Sequence, residues 1–141
     1  MNNIKHYYLD GTIKKNISFY NNALTGLYRE YFRNGFEKIN IQFNFGKMNG
    51  FAEVFNIEFS KLYFAEYKDN KIIGDEIIYY DNGVLAYITP YNVFGIHGKV
   101  KSYHPNSNLK MNVNYKNNIL NGTCYYYYNN NVTKYLLNFK N

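Results

Sequence analysis

Tryptophan is absent from this chain, and in 141 residues cysteine occurs once and proline twice. The lone Cys124 excludes an internal disulfide framework and any zinc site built on cysteine pairs. No apolar run approaches the roughly 20 residues of a membrane-spanning helix. The opening Met1-Asn2-Asn3-Ile4-Lys5-His6-Tyr7-Tyr8 lacks the apolar stretch of a secretory signal, so the expected location is cytoplasmic. On that reading the formal glycosylation sequons at Asn16, Asn121 and Asn131 are chance products of an asparagine-rich chain. Strong helix formers are scarce. What stands in their place is 18 Tyr, 11 Phe and 25 Asn, residues of strands and of tight turns. With 46% hydrophobic residues, the expectation is one folded domain over residues 1–141.

The chain repeats. Glycines fall at Gly26, Gly50, Gly74, Gly98 and Gly122, each 24 residues after the last, and Gly11, Gly35 and Gly83 lie on a second grid of the same period. Tyr7, Tyr31, Phe55, Tyr79, Tyr103 and Tyr127 form an aromatic column without a gap, as do Phe19, Phe43, Tyr67, Tyr91, Tyr115 and Phe139. A fixed period of this length marks a repeat architecture. The repeats run 3–26, 27–50, 51–74, 75–98, 99–122 and 123–141, the last one short.

Each repeat reads as a β-hairpin. A strand leads to Asp10-Gly11, Asn34-Gly35 or Asn82-Gly83, the pairs expected in a type I′ turn. A second strand alternates, so that Lys15, Ile17 and Phe19 and their equivalents share one face. A loop of the 116–122 kind then reaches the next hairpin, with Leu24, Met48, Ile72, Ile96 and Leu120 as its apolar column. Repeats 3 and 5 replace the glycine with Phe59 and Ser107, which puts their turns in question. The expected fold is all-β: an elongated, twisted antiparallel sheet of tandem 24-residue hairpins, each burying its face on its neighbours.

These residues carry a resemblance. Gly26-Leu27-Tyr28-Arg29-Glu30-Tyr31-Phe32-Arg33-Asn34-Gly35, closed by units such as Tyr115-Lys116-Asn117-Asn118-Ile119-Leu120-Asn121-Gly122, resembles the MORN repeat, in particular its bacterial variant. The resemblance implies a stacked hairpin fold across essentially the whole chain. It also implies a binding module of the toxin–antitoxin or immunity type. MORN arrays in eukaryotes imply membrane attachment or scaffolding instead. Enzymes that contain such repeats carry their chemistry in a separate domain, and here the repeats use up the chain.

The chemistry of the residues agrees with a non-enzymatic reading. No phosphate-binding loop, nucleophile elbow or His-Glu-x-x-His motif occurs, so no catalytic residue, metal ligand or cofactor is assigned. His6, His97 and His104 fall at different repeat positions, and Cys124 has no activating neighbour. Two surfaces stand out. Lys14, Lys38, Lys110 and Lys134 recur beside the aromatic series Tyr8, Phe32, Tyr80 and Tyr128, an arrangement that takes anionic partners or simply covers rings with lysine stems. Residues 51–98 hold seven acids against three lysines, a net −4 that leaves +10 for the rest of the chain. Nucleic acid, which demands a continuous basic groove, does not suit this distribution.

In the same central stretch Leu62, Phe64, Ala86 and Ile88 stand where other repeats carry Lys-Asn pairs, with Tyr80 alongside. An apolar patch rimmed by acids is expected to bind a protein partner, such as a toxin encoded nearby, or a second copy through an edge strand. A bulge that shifts the strand register is the alternative reading of that patch.

Overall fold

In the computed structural model, which describes residues 1–140, all regular structure among the described residues is β-strand. The strands group into two compact units, residues 1–71 and the residues from Ile72 onward. The first unit is a meander of β1 (Asn2–Tyr7), β2 (Ile13–Tyr20), β3 (Ala23–Tyr31), β4 (Glu37–Asn44), β5 (Lys47–Phe55) and β6 (Lys61–Lys68), each antiparallel to the next. The second contains β7 (Lys71–Tyr79), β8 (Leu85–Asn92), β9 (Gly95–Ile96), β10 (Gly98–Tyr103), β11 (Leu109–Lys116), β12 (Ile119–Leu120), β13 (Gly122–Tyr127) and β14 (Thr133–Phe139). Its order is β7-β8-β10-β11-β13-β14, with β9 on β8 and β12 on β11.

The expected columns share a face. In the first unit the register runs Ile4, Ile17, Tyr28, Ile41, Ala52, Ala65 across six strands. Small residues occupy the sealed positions of this face: Ala52 and Ala65 here, Val113 and Cys124 in the second unit, all at most 3% exposed. Large neighbours close over them. Tyr63 and Tyr67 flank Ala65 on the same face and join hydroxyl to hydroxyl at 2.8 Å, which is how an alanine on a sheet surface becomes fully buried.

The turns differ from expectation. At Asp10-Gly11 only Gly11 has positive φ, whereas a type I′ turn needs both central residues there. Gly11 N–H donates to the Tyr8 carbonyl and Tyr8 N–H to the Thr12 carbonyl, the pattern of a three-residue loop that closes on a left-handed residue. The same pair of bonds recurs at Gly35, Phe59, Gly83, Ser107 and Asn131. Phe59 (φ 61°) and Ser107 (φ 67°) hold the left-handed conformation, so repeats 3 and 5 keep the turn without glycine. The type I′ geometry sits instead at the other margin, in Asn21-Asn22, Phe45-Gly46, Asp69-Asn70 and Asn117-Asn118, where both residues have positive φ. What reads as a loop over 116–122 is a second tight hairpin.

Every long hairpin also carries a β-bulge. His6 faces Lys15 while Tyr7 faces Ile13, which leaves Lys14 as the extra residue. The equivalent shift sets aside Lys38, Leu62, Ala86, Lys110 and Lys134. Simple alternation therefore fails at the start of each second strand, and a bulge explains it.

Side chains sew the turns together. Asn118 N–H donates to the Ile96 carbonyl, the Asn118 Oδ1 accepts from Ile96 N–H at 2.7 Å, and its Nδ2 donates to the Phe94 carbonyl at 3.0 Å. Asn70 makes the same main-chain and Oδ1 pair with Met48. At the opposite margin the Tyr8 hydroxyl donates to the Tyr31 carbonyl, the Tyr80 hydroxyl to that of Tyr103, and His104 Nε2 to that of Tyr127. Asn118→Ala loses two side-chain hydrogen bonds and places a Cβ residue with no compensating amide at positive φ. Urea denaturation is expected to show a loss of about 2 kcal/mol, with Asn70→Ala close behind.

Candidate functional site

The turns of the first unit line up along one margin. Arg33 pairs with Asp10 at 3.2 Å, joining the first turn to the second, and Asn34 Nδ2 reaches the Ile57 carbonyl at 3.4 Å, joining the second to the third. Four large apolar side chains stand out from this margin: Leu9, Phe36, Ile57 and Phe59, the last two 60% and 51% exposed. Phe59 stacks on Phe55 with ring centroids 4.9 Å apart and planes 11° apart, and meets Phe36 at 5.7 Å. Phe55 is nearly buried, so it anchors the exposed ring. A pocket of about 420 Å³ opens at the first two turns of this unit, lined by Gly11, Thr12, Ile13, Tyr31 and Gly35.

Phe59 is unusual on physical grounds. Bulky residues avoid positive φ, and the cost is of order 1–2 kcal/mol. An aromatic pair returns about 0.5–1.5 kcal/mol. The ring is thus held in place by the neighbouring rings and still presents half its surface to solvent. Exposed aromatic anchors are the usual makings of a protein contact. The sequence signal for this site was visible as the aromatic in the glycine column at Phe59, four residues after Phe55, but the exposure of Phe36 was not.

The residues expected to form the partner patch are placed as follows. Leu62 and Phe64 lie in the first unit, both half-buried. Phe64 faces Glu53 in register, and the Lys61 ammonium sits 5.2 Å from its ring and 2.6 Å from the Glu53 carboxylate. Tyr80, Ala86 and Ile88 lie in the second unit. Ile88 aligns with Ile77 and Lys101. Ala86 is 3% exposed and offers no surface, a correction to its expected exposure: at the bulge position from which long lysine side chains reach solvent in other hairpins, a methyl group does not. The Tyr80 hydroxyl is taken by the Tyr103 carbonyl.

The four lysines are all exposed bulge residues. Lys14 lies 5.6 Å from the Tyr8 ring, Lys38 5.8 Å from Phe32 and Lys134 5.4 Å from Tyr128. Each therefore covers a ring of its own hairpin. In the second unit Lys110 and Lys134 also converge, lining a pocket of about 370 Å³ with His104, Tyr126, Tyr128 and Tyr135. No acid lines it, so the pocket favours an anion.

A further cluster escaped the sequence because it depends on cross-strand register. Lys15 bonds the Glu30 carboxylate at 2.6 Å and the Tyr28 hydroxyl at 3.1 Å, and that hydroxyl donates to Glu30. The hydrogen bond to Glu30 raises the Lys15 ammonium above its ordinary value. Burial first, then the bond to Glu30, raises Tyr28. Burial pushes Glu30 up, but the bonds from Lys15 and Tyr28 outweigh it and hold the carboxyl below 4.5. Among the described residues no three His, Cys, Asp or Glu side chains gather as metal ligands. His97 Nδ1 meets Asn117 Oδ1 at 3.0 Å, and Cys124 is buried.

The class of molecule is now defined: antiparallel hairpins on a 24-residue period, sewn turn to turn, with variable side chains displayed at fixed places. Residues 72–92, 96–117 and 120–141 match the model of the MORN repeat variant family. Successive matches begin at Ile72, Ile96 and Leu120, on the apolar column, so the similarity follows the 24-residue period of the chain. Such repeats are in general protein- or lipid-binding modules. No curated protein gives a match to the chain.

The Lys15–Glu30–Tyr28 cluster predicts a pH dependence with a definite sign. The lowered Glu30 carboxyl contributes stability above 4.5 and loses it as pH falls through its folded value. Raised Tyr28 and Lys15 contribute below their ordinary values, 10.0 and 10.5, and lose it as pH rises past them. Thermal melts across pH are expected to show Glu30→Gln removing part of the acid limb. Its cost at neutral pH is at most about 1 kcal/mol, because Lys15 is a third exposed and screened.

Proposed function

We propose that the chain is a non-enzymatic, cytoplasmic binding module that holds a protein partner at the turn margin of its first unit, and that it acts in the antitoxin or immunity manner, by occluding that partner. The observation that carries the reading is Phe59. A half-exposed aromatic ring is kept at a backbone position where glycine costs least, stacked on one phenylalanine and touching another that is also exposed. The pocket at the first two turns gives a partner side chain somewhere to enter. A sewn meander suits this role, since turns fixed to one another present their side chains without a large ordering cost on binding.

The test separates binding from folding. Phe59→Gly removes the ring and also relieves the backbone, so its stability is expected to stay within about 1 kcal/mol of the parent. Combined with Phe36→Ser it is expected to lose, at least tenfold, a stoichiometric protein partner that the tagged parent chain retains from source-cell lysate. Co-expression of that partner in a growth assay then addresses the finer reading: arrest relieved by the parent and not by the double variant supports occlusion. Equal recovery of the partner by both proteins rules out this margin as the site. A partner that is harmless when expressed alone removes the antitoxin role and leaves the binding role standing.

One observation favours a second reading, attachment to an anionic lipid surface. Lys110 and Lys134 converge in a pocket with four tyrosines and no acid. Sedimentation with phosphatidylserine vesicles is expected to recover the parent at low salt, to weaken as salt screens the lysines, and to fail for Lys110→Glu with Lys134→Glu. Salt-independent or absent sedimentation excludes it.

A further inference from the structure

We infer that the pocket lined by Lys110 and Lys134 in the second unit is a binding site for a small soluble phosphate monoester carried on a flat ring, the two lysines holding the phosphate and the tyrosines the ring. The inference goes beyond the lipid reading of the same pocket, which asks only for surface charge, and neither requires the other.

The repeat supplies the comparison. Displaced by 96 residues, four periods, Lys14 and Lys38 of the first unit become Lys110 and Lys134. The hairpins that carry Lys14 and Lys38 also carry three ion pairs: Lys15–Glu30 at 2.6 Å, Arg29–Glu37 at 3.2 Å and Arg33–Asp10 at 3.2 Å. In the second unit each pair is exchanged for two neutral residues: Met111 and Tyr126, Tyr125 and Thr133, Asn129 and Asn106. Of these positions only the two bulge lysines keep their charge. In the first unit the charge of Lys38 helps to hold the Glu30 carboxyl down. Tyr126, in the place of Glu30, offers no counter-charge. Residues 99–141 hold six lysines and neither Asp nor Glu, so no carboxylate of this stretch competes for the ammonium groups. Two ammonium groups at one acid-free pocket are matched by a group carrying close to two negative charges, as a phosphate monoester does at neutral pH. A diester headgroup carries one.

The neutral exchanges also shape the walls. Tyr126 faces Met111 and Tyr135 in register, and the Tyr126 and Tyr135 rings lie 4.6 Å apart. Burial raises the Tyr126 hydroxyl above its ordinary value, so it stays protonated as a donor to a phosphate oxygen. The Lys134 ammonium sits over two rings, 5.4 Å from Tyr128 and 5.7 Å from Tyr135, which lessens the cost of ordering it on a ligand. Lys110 differs from the other three bulge lysines. Its own turn carries His104 where theirs carry the tyrosine or phenylalanine that they lie over, and His104 Nε2 is committed to the Tyr127 carbonyl at 3.1 Å. The Asn129 carbonyl accepts from Nδ2 of both Asn106 and Asn108, at 2.8 and 2.7 Å, so the two turns that frame the pocket are tied together. A volume of about 370 Å³ falls within the roughly 300–1,000 Å³ of small-molecule sites and exceeds what a phosphate group alone fills. The rest of the wall is mainly tyrosine, whose faces take a flat ring.

Titration calorimetry on the purified chain tests this with phenyl phosphate as the probe, and with inorganic phosphate and phenol as its two halves. Phenyl phosphate is expected to bind once per chain, at least tenfold more tightly than either half. No binding, or binding no tighter than that of inorganic phosphate, overturns the proposal. Lys110 and Lys134 are exposed, so Lys110→Gln with Lys134→Gln leaves the fold intact and is expected to weaken phenyl phosphate at least tenfold; undiminished binding overturns the site. A second variant keeps the net charge of the chain. Met111→Lys with Tyr126→Glu writes the Lys15–Glu30 pair of the first unit into the second and supplies the acid that the pocket lacks. It is expected to weaken phenyl phosphate at least tenfold, and parental binding by this variant would mean that overall charge alone draws the ligand, which overturns the proposal. Vesicles separate the sources of the phosphate. Sedimentation with phosphatidic acid vesicles but no binding of phenyl phosphate overturns the soluble ligand and leaves the lipid reading standing. Binding of phenyl phosphate with no sedimentation on phosphatidylserine supports the proposal and removes the lipid reading.

Discussion

The constraint on which the structure depends is the need for positive φ at each reversal of the chain. A strand of up to nine residues leads into a turn, and each turn must place one or two residues in the left-handed region that only glycine enters freely. Where asparagine takes the position it does more than tolerate it. Asn70 and Asn118 use main-chain N–H and side-chain Oδ1 together to grip one residue of the preceding repeat. That residue belongs to the apolar column Met48 and Ile96, so the same contact that allows the turn fixes the height at which the next hairpin stacks. Because side chains alternate with a period of two, a slip of one residue would turn every buried alanine and valine outward. Turn chemistry thereby sets which face holds Ala65 and Val113.

The bulge follows from the same arithmetic. A three-residue loop closing on a left-handed residue, followed by strict pairing, would fix the faces of the second strand one way. The extra residue resets them. It also creates a position in each hairpin that does not answer to the pleat. Lysine fills it four times, and its ammonium lies over a neighbouring ring in at least three of those cases. Leucine and alanine fill it at positions 62 and 86. Variation at the bulge therefore costs the ladder little, and the surface there can change while the fold does not.

Much of this architecture was legible in the sequence, because a repeat multiplies every weak local signal. The 24-residue period, the strand pairs and the column shared by Ile17, Ile41 and Ala65 all rest on spacing alone. The geometry of the two turns was not legible. Asp10-Gly11 and Asn117-Asn118 are both good type I′ pairs by composition, and only the loop length, which pairing decides, separates them. The burial of Ala86 was hidden because it shares its bulge position with exposed lysines, and only the packed structure shows that a methyl group there falls short of solvent. Lys15 lies 13 residues before Tyr28, on another strand, and nothing but the β2–β3 register reveals that it meets Tyr28 and Glu30. For the candidate site, the aromatic substitution at Phe59 could be read, whereas its stacking on Phe55 and the company of Phe36 required three turns to be set side by side.

Phe59 also shows how energetics narrow the reading of a surface. Glycine at this turn would spare the strain of a bulky residue at positive φ, of order 1–2 kcal/mol. The ring regains about 0.5–1.5 kcal/mol by stacking on Phe55, and its remaining apolar surface stays in water, where it contributes nothing to folding. The two quantities nearly cancel. Serine and asparagine occupy the same place at positions 107 and 131 with the same backbone bonds, so the turn itself makes no demand for an aromatic. What folding leaves unexplained is the half of the ring that faces outward beside Phe36 and Ile57. Burying that surface against a partner would turn a feature that is neutral in the free chain into a favourable one in a complex, which is the energetic pattern of a binding residue rather than a structural one.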